Sequence, residues 1–270
     1  MILLSIDWNP SPVIFELGPL AIRWYGLMFV IAFLLGIYLE KSYYRRDGVN
    51  PDLVDKLFIY TALATLIGAR LGEVIFYSWD YYKDHLLEIF LPVRFNPFRV
   101  TGFRGLASHG AAIGIIAAMF LYRKKVLPEK SILWILDRVI LTIPIGGAFV
   151  RIGNLMNSEI VGKYTGTDYG FVFRRLGDTV PRHPTQLYEA SAYVLISLIL
   201  WYLYWRTDKR KREGYLFGVF MILLWSARFV IEFFKEAQVD ERAAWTLNTG
   251  QWLSIPMVLA GVYLMWRARD

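Results

Sequence analysis

The sequence predicts an all-α, polytopic membrane helix bundle of about seven transmembrane helices with a small extracytoplasmic loop domain. Of its 270 residues 56% are hydrophobic, and the mean hydropathy is +0.38. The apolar residues form long runs, each close to the roughly 20 residues that a helix needs to cross a hydrocarbon core. Aromatic residues make up 17% of the chain, and many Trp and Tyr lie at the ends of the runs, as in interfacial belts.

The apolar runs define the expected helices and their order. The predicted spans are 20–39, 53–77, 106–122, 132–150, 186–205, 215–234 and 252–266. Pro144 and Pro256 fall inside runs, which neighbouring helices tolerate in a membrane. No internal repeat or domain boundary is evident, so 1–270 is predicted as one integral membrane domain, with 151–185 as an extracytoplasmic head region. Residues 168–173 alternate weakly, which indicates a short strand.

Basic residues in the short loops orient the bundle. Under the positive-inside rule the following residues face the cytoplasm: Lys41, Arg45, Arg46, Arg123, Lys124, Lys125, Lys130, Arg206, Lys209, Arg210, Lys211, Arg212, Arg267 and Arg269. The N-terminus is then outside and the C-terminus cytoplasmic. This topology explains the net charge of +7 more simply than nucleic-acid binding does.

Two absences narrow the class further. The chain has no cysteine, which excludes disulfides, a cysteine nucleophile and thiolate metal sites. The N-terminus lacks the basic region and small-residue cleavage site of a signal peptide, so the first span is expected to act as the insertion signal and to remain.

Charged and polar side chains within or beside spans are costly and often functional. The topology puts most of the selected residues in the outer half of the membrane, namely Arg23, Tyr25, Arg70, Glu73, His109, Arg151, Arg228 and Glu232. Asp137, near the inner end of its span, is the exception. This convergence predicts an outward-facing polar cavity, and because the arginine fork suits phosphate, the cavity would hold a phospholipid headgroup.

Each member also has a purely structural interpretation. Arg228 with Glu232, and Arg70 with Glu73, have the spacing of helical ion pairs. Arg23 can snorkel to the interface, His109 can be a core histidine, and Gly110 with Gly114 can indicate close helix packing alone. Asp137 is expected to have a structural partner, and His85 is expected to be a loop residue without a role.

The segment 151–162 carries the most specific pattern. It combines a guanidinium, two amides, a carboxylate and a closing glycine at a helix end: Arg151, Asn154, Asn157, Glu159 and Gly162. Such donors suit an anion, and glycine allows a close backbone approach, so the segment is interpreted as an anion-binding turn. Asn and Gly also cap helices, which is the structural alternative.

This segment resembles the signature of the prolipoprotein diacylglyceryl transferase family. Other segments resemble the family in the same order along the chain: 22–27, 68–72, 109–114, 182–189, 228–234 and 251–256. The sequence departs from the family pattern at Glu73, Ala111, Ala112, Val150, Leu155 and Leu224.

The resemblance implies transfer of a diacylglyceryl group from phosphatidylglycerol to the thiol of a lipobox cysteine in a prolipoprotein signal peptide. The products are a thioether-linked lipoprotein precursor and glycerol 1-phosphate, and neither a metal nor a soluble cofactor is implied. His109 would be the base, or a group that orients an arginine-driven mechanism. Arg151 would stabilise the leaving phosphate, with Arg228 as a second clamp.

The remaining implied roles are binding and support. Glu159 and Glu232 would orient the guanidiniums, while Asn154, Asn157 and Tyr25 would donate hydrogen bonds to the headgroup. Gly162 completes the substrate-binding turn. A supporting set would shape the outer loop region, guide the peptide or stabilise the site: Arg70, His183, Gln186, Tyr188 and Glu189.

Three other classes compete with a transferase. A secondary transporter would show repeated halves with broken helices in matching positions, and no repeat is evident. An intramembrane hydrolase would need a Gly-x-Ser-x-Gly or His-Glu-x-x-His motif, and neither occurs. A non-catalytic lipid-binding scaffold remains compatible with composition, although it would not require His109 beside a phosphate clamp.

Overall fold

The computed structural model describes residues 5–18, 20–91, 93–95, 98–100, 107–236 and 247–268. These residues belong to two compact units. The first unit consists of Met1–Glu40 with Leu136–Asp270, and the second unit is Lys41–Ile135. Both units are mainly helical, which confirms the predicted polytopic helical membrane fold.

The elements follow the predicted runs closely. The helices are α1 (Trp24–Arg46), α2 (Leu53–Phe76), α3 (Trp79–Tyr82), α4 (Ser108–Lys125), α5 (Ile132–Val139), α6 (Ile143–Asn157), α7 (Thr185–Arg206), α8 (Tyr215–Ile231) and α9 (Thr249–Arg267). Strand β1 (Ser5–Trp8) pairs in parallel with β6 (Gly170–Phe173). Two antiparallel pairs join β2 (Val13–Leu17) to β3 (Leu20–Arg23), and β4 (Val93–Phe95) to β5 (Phe98–Val100).

Length and hydropathy identify three described helices that could each cross a membrane, namely α1, α2 and α7. The pair α5 and α6 passes the same test together as a fourth, broken span. Helices α4, α8 and α9 occupy the other three predicted runs, so the total of seven spans stays a prediction. The first helix differs from its predicted start, because residues 20–23 pair with β2 as a strand. It also continues to Arg46, so Lys41, Arg45 and Arg46 lie on the helix rather than in a loop.

The predicted span 132–150 is two helices that meet at a bend of 41°. Pro144 occupies the first turn of α6, where its missing N–H costs nothing and its fixed φ favours helix initiation. Helix α6 then continues to Asn157, so Arg151 lies on the helix and not just after its end. This corrects the expected boundary at 150.

The predicted strand in 168–173 is confirmed as β6, although its residues are all buried and do not alternate. Its side chains Phe171 and Phe173 join Leu155 and Val161 in an apolar cluster, against which Trp8 of β1 packs. The Trp8 indole Nε1 donates to the carbonyl of Leu155 at 2.9 Å. The head region is thereby anchored to the last turn of α6.

Asp137 has the structural partner that the sequence predicted. Its buried carboxylate accepts hydrogen bonds from the backbone N–H of Gly214 at 2.7 Å and of Phe217 at 2.8 Å. These groups lie at the start of α8, where backbone donors lack helical partners. Asp137 therefore joins α5 to the first turn of α8.

Glycines bring α2 and α4 of the second unit into backbone contact. A Cβ on Gly72 would lie 2.7 Å from the Cα of Gly110, and a Cβ on Gly68 would lie 3.1 Å from the Cα of Gly114. The N–H of Ala107 also donates to the carbonyl of Ala69 at 2.9 Å. The close packing predicted from Gly110 and Gly114 is thus confirmed.

We expect Asp137→Ala to lower the free energy of unfolding by about 1–3 kcal/mol, because two buried backbone donors lose their acceptor. Thermal unfolding in detergent measures the effect. The matched control is Asp52→Ala, since Asp52 precedes α2 but its exposed side chain makes no capping hydrogen bond. Equal losses in the two variants would contradict the capping role of Asp137.

Gly110→Ala should destabilise the second unit by roughly 1–3 kcal/mol, because the added methyl group meets the backbone of α2. Gly36→Ala is the control, since a Cβ on Gly36 has its nearest neighbour, the Cβ of Thr142, at 4.0 Å. Denaturation of both variants in one detergent provides the comparison. An unchanged transition for Gly110→Ala would mean that α2 and α4 separate without cost.

Candidate functional site

A buried carboxylate forms the centre of the polar cluster in the first unit. Oε2 of Glu189, on α7, lies 2.6 Å from Nε of Arg151 on α6. Its other oxygen, Oε1, lies 2.7 Å from Nζ of Lys235, which follows α8. Only 1% of the Glu189 side chain is exposed, so both ion pairs are shielded from solvent. One carboxylate thus holds two cations from different segments.

The amides of the 151–162 segment connect Arg151 to Glu159. Nη1 of Arg151 donates to Oδ1 of Asn154 at 3.1 Å, and Nδ2 of Asn154 donates to Oε2 of Glu159 at 3.4 Å. Nδ2 of Asn157 donates to Oε1 of Glu159 at 3.2 Å. Glu159 therefore orients the two amides, and Glu189 holds the arginine, which differs from the expectation that Glu159 would do so.

The turn after α6 contains two left-handed residues. Ser158 and Ile160 both have φ of 57°, and this conformation is strained for a β-branched side chain such as isoleucine. The turn is held by the next segment, because Oγ1 of Thr185 donates to the carbonyl of Ile160 at 3.0 Å. Nε2 of Gln186 donates to the carbonyl of Glu159 at 2.7 Å. Gln186 thus supports the position of Glu159.

Gly162 approaches protein backbone closely. Its N–H donates to the carbonyl of His183 at 3.0 Å. A Cβ would lie 2.5 Å from that oxygen and 2.7 Å from the carbonyl oxygen of Phe234. The glycine is therefore required for packing between the turn and the segment after α8, whereas the sequence alone predicts that it allows a close approach to an anion.

Arg228 and Glu232 do not form the helical ion pair that their spacing allows. The guanidinium of Arg228 lies 5.6 Å from the ring centroid of Trp225, and its buried Nε has no hydrogen-bond partner in the part of the chain that the structure describes. A carboxylate oxygen of Glu232 lies 3.9 Å from Nζ of Lys235. Glu232 also adjoins Gly250 in the first turn of α9, where the helix dipole favours a negative charge.

The other predicted residues of this unit lie around the cluster. Tyr25 packs against Gly153, whose Cβ would lie 2.8 Å from its ring, while Arg23 is exposed and free to snorkel. The hydroxyl of Tyr188 lies 3.1 Å from Nδ1 of His183. Burial lowers the pKa of His183, so its ring is neutral at physiological pH.

In the second unit, Arg70 does not pair with Glu73. Its Nε donates to the carbonyl of Ile89 at 2.7 Å, and its Nη2 donates to the carbonyl of Glu88 at 2.9 Å and to the hydroxyl of Tyr82 at 2.9 Å. Arg70 therefore fixes the segment that follows α3. Glu73 instead accepts from the hydroxyl of Ser78 at 3.1 Å.

The two histidines of the second unit differ in their surroundings. His109 is exposed in the first turn of α4, with its ring 6.1 Å from that of Tyr77, so it is not a core histidine. His85 is a loop residue, as expected, stacked on Tyr81 at 4.3 Å. Because His109 and Arg151 belong to different units, their convergence on one cavity stays a prediction.

Sequence reasoning missed two members of the cluster, Lys235 and Tyr193. The buried Tyr193 packs against Gly147 and interacts electrostatically with the charges of Glu189, Arg151 and Arg228. Tyr193 follows Glu189 by four positions and so lies on the same face of α7. This spacing could have indicated from the sequence that the two side chains are neighbours. Lys235 follows Glu232 by three positions but lies beyond the end of α8.

Comparison with known proteins assigns the family. The family model described as prolipoprotein diacylglyceryl transferase matches residues 12–267. The curated relatives named phosphatidylglycerol–prolipoprotein diacylglyceryl transferase include a Bacteroides fragilis protein, 42% identical over 268 residues, which cover 98% of this chain and 96% of the relative. The Tolumonas auensis relative is 43% identical, with 96% and 95% covered, and the Chloroherpeton thalassium relative is 43% identical, with 97% and 94% covered. The chain therefore belongs to the prolipoprotein diacylglyceryl transferase family.

Proposed function

We propose that this protein transfers the diacylglyceryl group of phosphatidylglycerol to the thiol of the lipobox cysteine of a prolipoprotein, which is the first step of bacterial lipoprotein maturation. The family assignment supports the reaction class. The donor and acceptor are those in the printed names of the relatives. The membrane helices suit a donor that is itself a membrane lipid.

The observation that carries the proposal is a group of three partly buried cations in the first unit, one of which has a buried donor without a partner in the described residues. Arg151 and Lys235 share Glu189, while Arg228 keeps a buried Nε without a partner in the described residues. An arginine donor in a shielded environment gains free energy from an anionic oxygen. A phosphate group supplies such oxygens, so this region is proposed to bind the lipid phosphate.

The proposed reaction is a displacement at carbon. The cysteine thiolate attacks the glyceryl carbon that carries the phosphate ester, a C–S bond forms and the C–O bond breaks. The electron pair of that C–O bond leaves with glycerol 1-phosphate, and negative charge grows on the phosphate. Cations that meet this charge stabilise the transition state more than the ground state. Arg151 is proposed for this role, with Arg228 as the second clamp.

His109 is the proposed base. The thiol proton passes to its imidazole and then to the leaving phosphate or solvent, a transfer for which histidine is the side chain most often used. The exposure of His109 at the start of α4 leaves its ring accessible to a substrate. Its distance from the acceptor sulfur decides whether it acts as the base or orients the arginines.

The binding and support roles follow the same scheme. Asn154, Asn157 and Tyr25 are proposed to donate to the headgroup, and Glu159 is proposed to orient the two amides. His183, Gln186 and Tyr188 are proposed to hold the outer loop. The site is proposed to face the outer leaflet of the bacterial inner membrane, with the N-terminus outside and the C-terminus cytoplasmic. Both substrates then meet at one membrane surface.

The test is transfer of label from phosphatidylglycerol, radiolabelled in an acyl chain, to a lipobox peptide in reconstituted vesicles. The wild-type protein should form a labelled thioether. Arg151→Ala and His109→Gln should each reduce the rate at least about a hundredfold, as is usual for the loss of a charge-stabilising or proton-transfer group. Thiol-blocked peptide provides the blank.

The outcomes separate the parts of this proposal. No transfer by a folded wild-type protein, across several lipids and peptides, would overturn the proposed activity in favour of lipid binding alone. Transfer that survives Arg151→Ala would keep the activity and remove the phosphate role from Arg151. Retained lipid binding by inactive His109→Gln is the expected signature of a base.

Glu189→Gln tests how the cluster is balanced. Removing the shared carboxylate charge leaves Arg151 without its ion pair and leaves Lys235, among the described residues, with only Glu232 at 3.9 Å, so the thermal midpoint should fall, with a loss of about 3–5 kcal/mol. Glycerol 1-phosphate should then stabilise the variant more than it stabilises the wild type, because the anion replaces the lost charge. The measurement is a thermal midpoint with and without glycerol 1-phosphate.

Asp178→Asn is the matched control for this variant. Asp178 is another buried carboxylate of this unit that pairs with an arginine, at 2.8 Å from Arg182. Arg182 keeps a second partner, because its Nη1 lies 2.9 Å from Glu236. Glycerol 1-phosphate should therefore not raise the thermal midpoint of Asp178→Asn more than that of the wild type. Equal rescue of the two variants would mean that the anion stabilises the protein elsewhere.

A further inference from the structure

An apolar groove runs along the contact between α2 and α4. Its volume is about 550 Å³, which lies within the range of sites that hold small molecules. Glycine and alanine form its floor, and long apolar side chains form its walls. The lining side chains include Leu63, Ile67 and Ile75 of α2, with Ile113 and Leu121 of α4.

The groove is long and open on its outer side. Its lining extends from Ile59 to Phe76 along α2, which corresponds to about 25 Å at 1.5 Å per helical residue. One leaflet of a bilayer has about 15 Å of hydrocarbon. Leu63 is 54% exposed and Ile75 is 56% exposed, and both lie on a helix that is able to cross a membrane. The groove therefore opens onto lipid and is long enough for an acyl chain of one leaflet.

The glycines that create the groove also limit what can fill it. Gly68, Gly72, Gly110 and Gly114 are in backbone contact with the partner helix, so this small-residue surface is already used by the pairing of α2 with α4. A third helix would pack its side chains against the flanking Ile and Leu without a close backbone approach. A thin, flexible hydrocarbon chain fits between the same walls.

One end of the groove lies beside the proposed base. The lining includes Phe76, the last residue of α2, and Gly110, the residue after His109. A chain that lies in the groove has its polar end emerging next to His109. We propose that this groove binds one acyl chain of the donor phosphatidylglycerol and guides its glyceryl carbon towards His109. The inference rests on the proposed function for the identity of the lipid.

The test uses phosphatidylglycerol with a photoactivatable diazirine midway along one acyl chain, reconstituted with the full chain in phosphatidylcholine nanodiscs. Adducts should concentrate on peptides that cover 59–76 and 110–121, and excess unlabelled phosphatidylglycerol should remove them. Leu63→Trp should reduce these adducts and raise the KM for long-chain donors about tenfold or more, because the indole occupies the groove. A donor with six-carbon chains should show a much smaller change.

Leu66→Trp is the matched control. Leu66 is on the same helix and is 61% exposed to lipid, but it does not line the groove. Its adducts and KM should stay within about twofold of the wild-type values, as for a surface change away from packed features. Equal effects of the two variants would overturn the proposal.

Other outcomes identify a different occupant. Adducts spread evenly over the lipid-facing helices would show only contact with bulk bilayer and overturn the proposal. The proposal is also overturned if a phosphatidylethanolamine probe labels the same peptides to the same extent and excess phosphatidylglycerol does not remove those adducts. Loss of adducts on adding acceptor signal peptide, with donor binding intact, would assign the groove to a peptide helix.

The groove and the proposed activity can fail separately. Competed adducts without label transfer to peptide would keep the groove as a lipid site and overturn the activity. Label transfer without localised adducts would keep the activity and overturn the groove.

Discussion

Burying a carboxylate costs free energy unless cations compensate it, and this cost governs the polar centre of the first unit. The cost of burying Glu189 is offset because each of its oxygens pairs with a different cation, Arg151 on α6 and Lys235 after α8. The three segments must therefore come together for any of these charges to be satisfied. The strained turn at Ile160 persists because the same segments hold it through Thr185 and Gln186.

The resulting charge balance favours binding of an anion. Arg151, Lys235 and Arg228 contribute three cations, against the carboxylates of Glu189 and Glu232. Glu232 is further stabilised by the first turn of α9, so it competes weakly for Arg228. A phosphate diester carries one charge, and the monoester that leaves carries nearly two. The cluster has one net positive charge, which matches the intact diester, and the Nε of Arg228, unpartnered in the described part of the chain, is available for the additional charge that grows on the leaving monoester.

Local patterns predicted the helices and the members of the 151–162 segment, because period, capping and residue type are local properties. The partners of those residues were not predictable in the same way. Arg151 and Glu189 are 38 positions apart, and only the packing of α6 on α7 brings them together. Helical spacing suggested Arg228 with Glu232 and Arg70 with Glu73. Instead, Glu232 lies 3.9 Å from Lys235, and Arg70 donates to the carbonyl of Ile89, 19 positions away. Strand β3 was not predicted, because its apolar residues continue directly into α1 and have the composition of a membrane span.

The glycines of the second unit set both the close packing of α2 with α4 and the shape of the groove beside it. Gly110 and Gly114 indicate only close packing when they are read from the sequence. The backbones of α2 and α4 are in contact at these glycines. The long side chains on either side extend beyond this contact and leave the open groove between them. In water such a groove would expose a large apolar surface, which favours aggregation. In a bilayer it is filled by hydrocarbon, so the requirement for tight packing and the requirement for an acyl-chain site are satisfied by the same residues.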